Sequence, residues 1–311
     1  MSTHTSSGEI STAQAKQALL RSGYLLESRL ETVLRNRDHG YYVDANSAIP
    51  DADTGKSREL DLYAMAALHA GPDETDFIFG VLLIECINNP QPIAFLTKVP
   101  QVGFLHHHEV KLAGLPVKIP DEGELDSWTM LADYLEMDKY HHYCKGRVAT
   151  QFSSFKKKKE QHEWMATHDE AHFDSFRKLC TAVDHFADQH FKNWLFNDHE
   201  SVNVEFYYPL VVLQGDLLDV RPTTRSCTLR RANHIQYRRS AVVGGQQQDY
   251  QIDVVTEQFF PTYLDIIEDE LVKTARLLRR RHVVVRDAID RIAQQASPLP
   301  SPKEKRAAMD F

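Results

Sequence analysis

The pattern of apolar positions changes period several times along the chain. Between residues 12 and 37, Leu26, Leu30, Val33 and Leu34 recur at helical spacing, which predicts a helix over 12–37 broken near Gly23. Residues 39–46 predict a strand. The Pro, Asp and Gly cluster of residues 49–57 predicts a turn, followed by strands at 58–68 and 77–87 with a hairpin-type loop between them. Beyond residue 99 the periodicity weakens. Residues 126–136 and a long stretch over about 160–195 carry helical spacing, the latter through Phe173, Phe176, Leu179, Val183, Phe186 and Phe191. Strands are predicted at 202–220, 233–244 and 249–257, then a helix from Pro261, where the missing amide of proline is harmless. The order implies a single α/β domain over residues 12–295, with a possible loosely attached helical insertion at 100–160. Polar tails are expected at 1–11 and 296–311.

Composition narrows the class. Hydrophobic residues make up 42% and charged residues 26% of the 311, a globular balance able to bury a core. No apolar run approaches the roughly 18 residues of a membrane span. The N-terminal residues lack an apolar stretch after a basic start, so no secretory signal is expected; the cysteine usage implies a reducing, cytoplasmic setting, and no membrane partner is expected. Cys86, Cys144, Cys180 and Cys227 are too scattered for a zinc ribbon or a disulfide framework. A net charge of −8 argues against a surface that coats nucleic acid everywhere, yet leaves room for a local basic groove.

The densest chemistry sits on the hairpin of strands 58–68 and 77–87. With its loop centred near residue 73, Asp61 on one strand faces Glu85 on the other. Opposed carboxylates repel across a sheet, and a divalent cation offsets them. Glu85 is embedded in the apolar run VLLIECI, where a lone carboxylate must be paired, protonated or metal-bound. Glu27 lies at the edge of the preceding helix stripe and could supply a third oxygen.

Glu27 in GYLLESRLETVL, Asp61 in SRELDLYA and Glu85 in LLIECINNPQPIAF resemble, in order and element context, the motif of PD-(D/E)XK nucleases, a restriction endonuclease-like superfamily. The resemblance covers residues 20–99. It implies a mixed central sheet flanked by helices and metal-assisted phosphodiester hydrolysis of nucleic acid, with DNA the expected partner. It implies Mg²⁺ or Mn²⁺ held by Asp61, Glu85, the Cys86 carbonyl and Glu27. The family lysine, two residues after the second acid, falls on Ile87. A lysine from elsewhere could replace it, Lys98 and Lys56 being nearest in sequence, with Asn88 or Asn89 as neutral substitutes. Otherwise the fold is catalytically silent and only binds nucleic acid or a partner protein. An ammonium within about 4–5 Å of the two carboxylates favours catalysis; apolar surroundings alone favour silence.

Other features carry weaker alternatives. Lys156, Lys157, Lys158 and Lys159 form a basic run suited to a phosphate backbone, or simply a solvated face. Arg221, Arg225, Arg230, Arg231, Arg238 and Arg239 give the C-terminal strands a second basic density. Gln151 is more plausibly a surface amide than a site residue. Asp51, Asp53 and Gly55 fail the spacing of a calcium loop. His168 and His172, at i and i+4 of an expected helix, could share zinc but lack the adjacent glutamate of a zinc protease. His106, His107 and His108 suit a polar loop, and His141, His142 and Cys144 lack a convincing fourth ligand.

Overall fold

In the computed structural model, the helical stripe at the start of the chain becomes two helices, α1 (Thr12–Arg21) and α2 (Tyr24–Arg35). The structure describes residues 10–22, 24–50, 57–100, 109–121, 127–158, 163–168, 170–196, 201–243 and 246–295. The tails at 1–9 and 296–311, the turn residues 51–55, Lys56, Lys159 and His106, His107 and His108 lie outside the described residues. Ser11 begins α1 with a reciprocal capping box to Gln14. In α2, Leu26, Leu30 and Leu34 are buried on one face.

An antiparallel meander follows: β1 (Tyr42–Pro50), β2 (Ser57–His69) and β3 (Phe77–Asn88). The chain continues through β4 (Ile93–Lys98), β5 (Lys111–Leu115), β6 (Lys118–Pro120), β7 (Trp128–Met130) and the short α3 (Leu131–Tyr134). Then come β8 (Val148–Lys157), β9 (Trp164–Thr167) and the long α4 (Glu170–Phe196). Five strands succeed it: β10 (Asn203–Gln214), β11 (Leu217–Pro222), β12 (Cys227–Ala232), β13 (His234–Val243) and β14 (Gln246–Thr256). Two helices, α5 (Phe260–Arg280) and α6 (His282–Gln295), end the described chain, with Pro261 in the first turn of α5. Among the described residues, no helix is long and apolar enough to cross a membrane.

Twelve strands form one mixed sheet in the order β1-β2-β3-β10-β14-β13-β8-β4-β11-β12, with β5 beside β10 and β9 beside β8. At its centre β10 lies parallel to β3, in register from Asn203↔Phe77 to Gln214↔Asn88. A parallel neighbour requires a crossover, and α4 is the last helix of it. Both strands are covered on both faces, which explains their nearly unbroken apolar text. On one face Leu82 and Ile84 of β3 pack with Leu26 and Leu30 of α2 and with Ile267 and Leu271 of α5. On the other, Leu83 and Ile87 join Phe95, Tyr237 and the α4 residues Phe176, Leu179 and Val183. Gly80 permits the close approach of α5, since a Cβ there would stand 2.3 Å from Leu271 Cδ1.

The architecture is the expected mixed α/β sheet flanked by helices, with local differences. Residues 100–160 contribute strands to the main sheet instead of a helical insertion: β5 pairs with β10, and β8 joins β4 to β13. Of the described residues in 127–136, Trp128–Met130 form β7 and Leu131–Tyr134 form α3, and the long helix begins only at Glu170, after β9. Here sheet pairing overrides a weak helical period, because each strand gains backbone partners that an isolated short helix lacks.

A buried polar network fastens α5 to the sheet. His142 donates from Nδ1 to Glu270 Oε2 at 2.9 Å and from Nε2 to Asp253 Oδ2 at 3.0 Å. Tyr263 donates to the same Asp253 oxygen at 2.7 Å, and Gln236 Nε2 donates to the His142 carbonyl at 2.6 Å. Burial alone would lower the His142 pKa, but the Asp253 and Glu270 carboxylates override it and hold it up to about 10. The imidazolium in turn keeps the buried Asp253 carboxyl below its usual range despite desolvation. Replacing His142 with Ala takes the shared cation from two buried carboxylates, so urea denaturation at neutral pH should show a loss of about 3–5 kcal/mol. Because the folded pKa is raised, the stabilisation is complete below about pH 6.5 and is lost as pH climbs through about 10. The gap between wild type and variant should therefore narrow toward that pH.

Candidate metal and phosphodiester site

The β2–β3 ladder runs from His69↔Phe77 to Leu62↔Ile84 and ends one residue short of Asp61 and Glu85, whose carboxylates both lie within reach of one ammonium. The regular pairing stops there because the Cys86 amide donates to the Asp61 carboxylate, at Oδ2 and 2.7 Å, in place of a backbone carbonyl. That bond ties Asp61 to the third strand and draws the Cys86 peptide into the site. Glu85 is only 3% exposed. Glu27, half-buried in the first turn of α2, lies close enough for its charge to act on Asp61, and its carboxyl pKa is raised by burial and by that neighbour.

The cation at these carboxylates comes from α4. Phe176, Leu179, Cys180 and Val183 bury one stripe of this helix on the sheet, and Lys178 lies at the stripe's edge. Its aliphatic stem can follow the apolar surface while the ammonium reaches the acids. Lys178 Nζ stands 2.6 Å from Glu85 Oε1 and 3.7 Å from Asp61 Oδ1, and it donates to the Glu59 carbonyl at 2.6 Å. The contact with Glu85 is an ion pair without hydrogen-bond alignment. Even so, burial and the neighbouring Asp61 charge push the Glu85 carboxyl up to about 8, with Lys178 only partly opposing them. A second positive charge would therefore be favoured here. The Cys86 thiol is raised well above its ordinary range by burial and by Asp61, so it is no candidate nucleophile.

Lys98 is not the lysine at this site. After β3 the chain turns into β4, which pairs with β8 and β11, and Lys98 ends that strand exposed and opposite Val148. Ile87, at the motif position of the lysine, is buried in the core on the α4 face. Gln151 is exposed on β8, opposite Leu96, and belongs to no helix. Lys156, Lys157 and Lys158 are exposed where β8 turns toward β9. His168 precedes α4 while His172 lies within it, so they share no helix face.

Sequence reasoning missed two groupings. Lys178 had no local signal, since it is one lysine on an amphipathic helix. His141 and His142 find the partners that spacing did not supply. Among the described residues, three clusters hold potential ligand atoms within 4.8 Å of one another: His141, His142 and Glu270; His142, His234 and Asp253; and Asp73, Asp76 and His282. Such clusters could hold a metal ion, although in the first two the proton-bearing His142 already satisfies the carboxylates. Compared with family models, curated proteins and solved structures, the chain has no match in any of the three.

The raised Glu85 carboxyl has a measurable consequence. The unfolded chain loses this proton near the ordinary glutamate pKa and the folded chain only near pH 8, so folding stability falls as pH rises between the two. Glu85→Gln removes that dependence. Thermal melts in EDTA should show the variant gaining on wild type by several degrees from pH 5 to pH 8; parallel curves would refute the buried-carboxyl assignment.

Proposed function

We propose that the protein is a divalent-metal-dependent nuclease of the PD-(D/E)XK kind, acting on DNA, in which Lys178 supplies the cation that the motif position Ile87 lacks. The observation that carries this reading is the Lys178 ammonium within 3.7 Å of both motif carboxylates. Asp61, Glu85 and Glu27 suit Mg²⁺ or Mn²⁺, which takes hard oxygen ligands, with the Cys86 carbonyl as a further donor. When bound, the metal polarises the phosphoryl group and lowers the pKa of the attacking water.

The chain's own residues do the remaining work. The Cys86 amide fixes the Asp61 carboxylate in orientation. Lys178, anchored on the Glu59 carbonyl, steadies the nucleophile and offsets negative charge developing on the phosphoryl oxygens. The exposed Lys156, Lys157 and Lys158 are suited to hold the phosphate backbone of the substrate. The same contact supports a second reading, because Lys178 stands where a metal would meet Glu85 Oε1: a nuclease-like fold that binds DNA or a partner without cutting it.

Purified protein incubated with linear DNA, circular DNA or RNA, in Mg²⁺, Mn²⁺ or EDTA, separates the two. The nuclease reading expects metal-dependent cleavage of DNA that is abolished in Asp61→Ala and slowed about 100-fold or more in Lys178→Ala, the scale of losing one charge-stabilising donor. No cleavage by folded protein with either metal, or full activity in Asp61→Ala, overturns it.

A further inference from the structure

A cavity of about 380 Å³ opens between β4, β11, β12, β13 and the segment leading into β8, and it shares no residue with the Asp61, Glu85 and Lys178 site. Its wall carries five cationic side chains, Lys145, Arg147, Arg221, Arg230 and Arg231. Among the described residues, Asp219 is the sole carboxylate in the lining. In a chain of net charge −8 this is a strong local concentration of positive charge.

Two of the guanidinium groups are set in place before any ligand arrives. Arg147 donates from Nε to Thr97 Oγ1 at 2.8 Å and from Nη2 to the Thr97 carbonyl at 2.7 Å. Arg221 donates from Nε to Asp219 Oδ2 at 2.7 Å, and the other oxygen of that buried carboxylate accepts from Thr97 Oγ1. One threonine and one aspartate therefore orient both forks. Arg231 reaches Asp216 at 3.3 Å, while Arg230 and Lys145 form no ion pair among the described residues. His234, also in the wall, is fastened by Asp253 Oδ1 at 2.7 Å.

Arginine forks match the paired oxygens of phosphate, and five cations exceed what a single monoanion can use. The described lining holds no Phe, Tyr or Trp on which a base could stack, and the ring of His234 is already packed against Phe259 and Tyr263, so recognition falls on charge. We propose that this cavity binds a ligand carrying two or more phosphate groups, gripped through those phosphates. The chemistry is shared by a free polyphosphate, such as a nucleoside triphosphate, and by the phosphodiester backbone of a DNA strand.

Calorimetric titration tests this and distinguishes the sources. The full chain carrying Asp61→Ala is used in EDTA, so that cleavage and any metal at the acidic site play no part. The probes are inorganic triphosphate, ATP and a short single-stranded oligothymidylate at low salt. Arg230→Glu with Arg231→Glu, both exposed on β12, should keep the thermal transition and weaken binding at least about tenfold, with a shallower salt dependence. Arg225→Glu, an exposed arginine outside the cavity, controls for overall charge and should change binding by less than about threefold. Binding of triphosphate and ATP that is lost in the double variant supports the proposal and assigns a free phosphorylated ligand. Binding of the oligonucleotide alone, lost in the same way, supports it and assigns a strand backbone. The proposal is overturned if no probe binds, if the double variant binds as wild type does, or if Arg225→Glu weakens binding equally.

Discussion

A carboxylate buried near the end of a strand that is covered on both faces must be paired, protonated or metal-bound, and Glu85 sets that demand at the hub of this molecule. β3 is the hub: it is the last strand of the antiparallel meander and the parallel partner of β10 along its whole length. Its unbroken apolar text suits that position, and Glu85 is the exception within it. The parallel pairing demands a crossover, the crossover ends in α4, and α4 lays Lys178 against the exception. The same connectivity that lets the core close thus delivers the ion pair.

One ammonium does not saturate the site. Glu85 retains a raised carboxyl pKa beside Lys178 because Asp61 adds a second negative charge and burial removes the water that would screen them. Glu27 adds a third carboxyl with the same tendency. Contrast this with His142, where two carboxylates flank one imidazolium and each acceptor is matched by a donor. In the first cluster one ammonium serves more than one carboxylate, and Glu85 Oε1 has no hydrogen-bond donor. The second is satisfied and acts as a clasp between α5 and the sheet. The two buried clusters thus differ in how completely their carboxylate oxygens are matched by donors.

The basic residues follow a similar logic of placement. Arginines scattered through the text of the C-terminal strands separate in space into distinct neighbourhoods. Arg221, Arg230 and Arg231 face one cavity, whereas Arg238 pairs with Glu109 and Asp249 and Arg239 lies over the ring of Phe173. A count of positive charge along the chain could not make that division, because it depends on which strands, distant in sequence, come to share a wall.

By itself the sequence determined the helical stripe of α2, the β2 and β3 strands and the nearness of Asp61 and Glu85 on their hairpin. Each depends on spacing between near neighbours, which a period of two or of 3.6 reports directly. It did not determine which lysine meets Glu85, that His142 binds Glu270 and Asp253, or that residues 111–115 and 148–157 enter the main sheet. Lys98 was nearer in the chain yet was carried off by β4, while Lys178 arrived on a helix packed across the sheet. Those outcomes depend on which strands become neighbours and how α4 is rotated on the sheet. Both are settled by burying the whole apolar surface at once, a sum over distant segments that no local pattern contains.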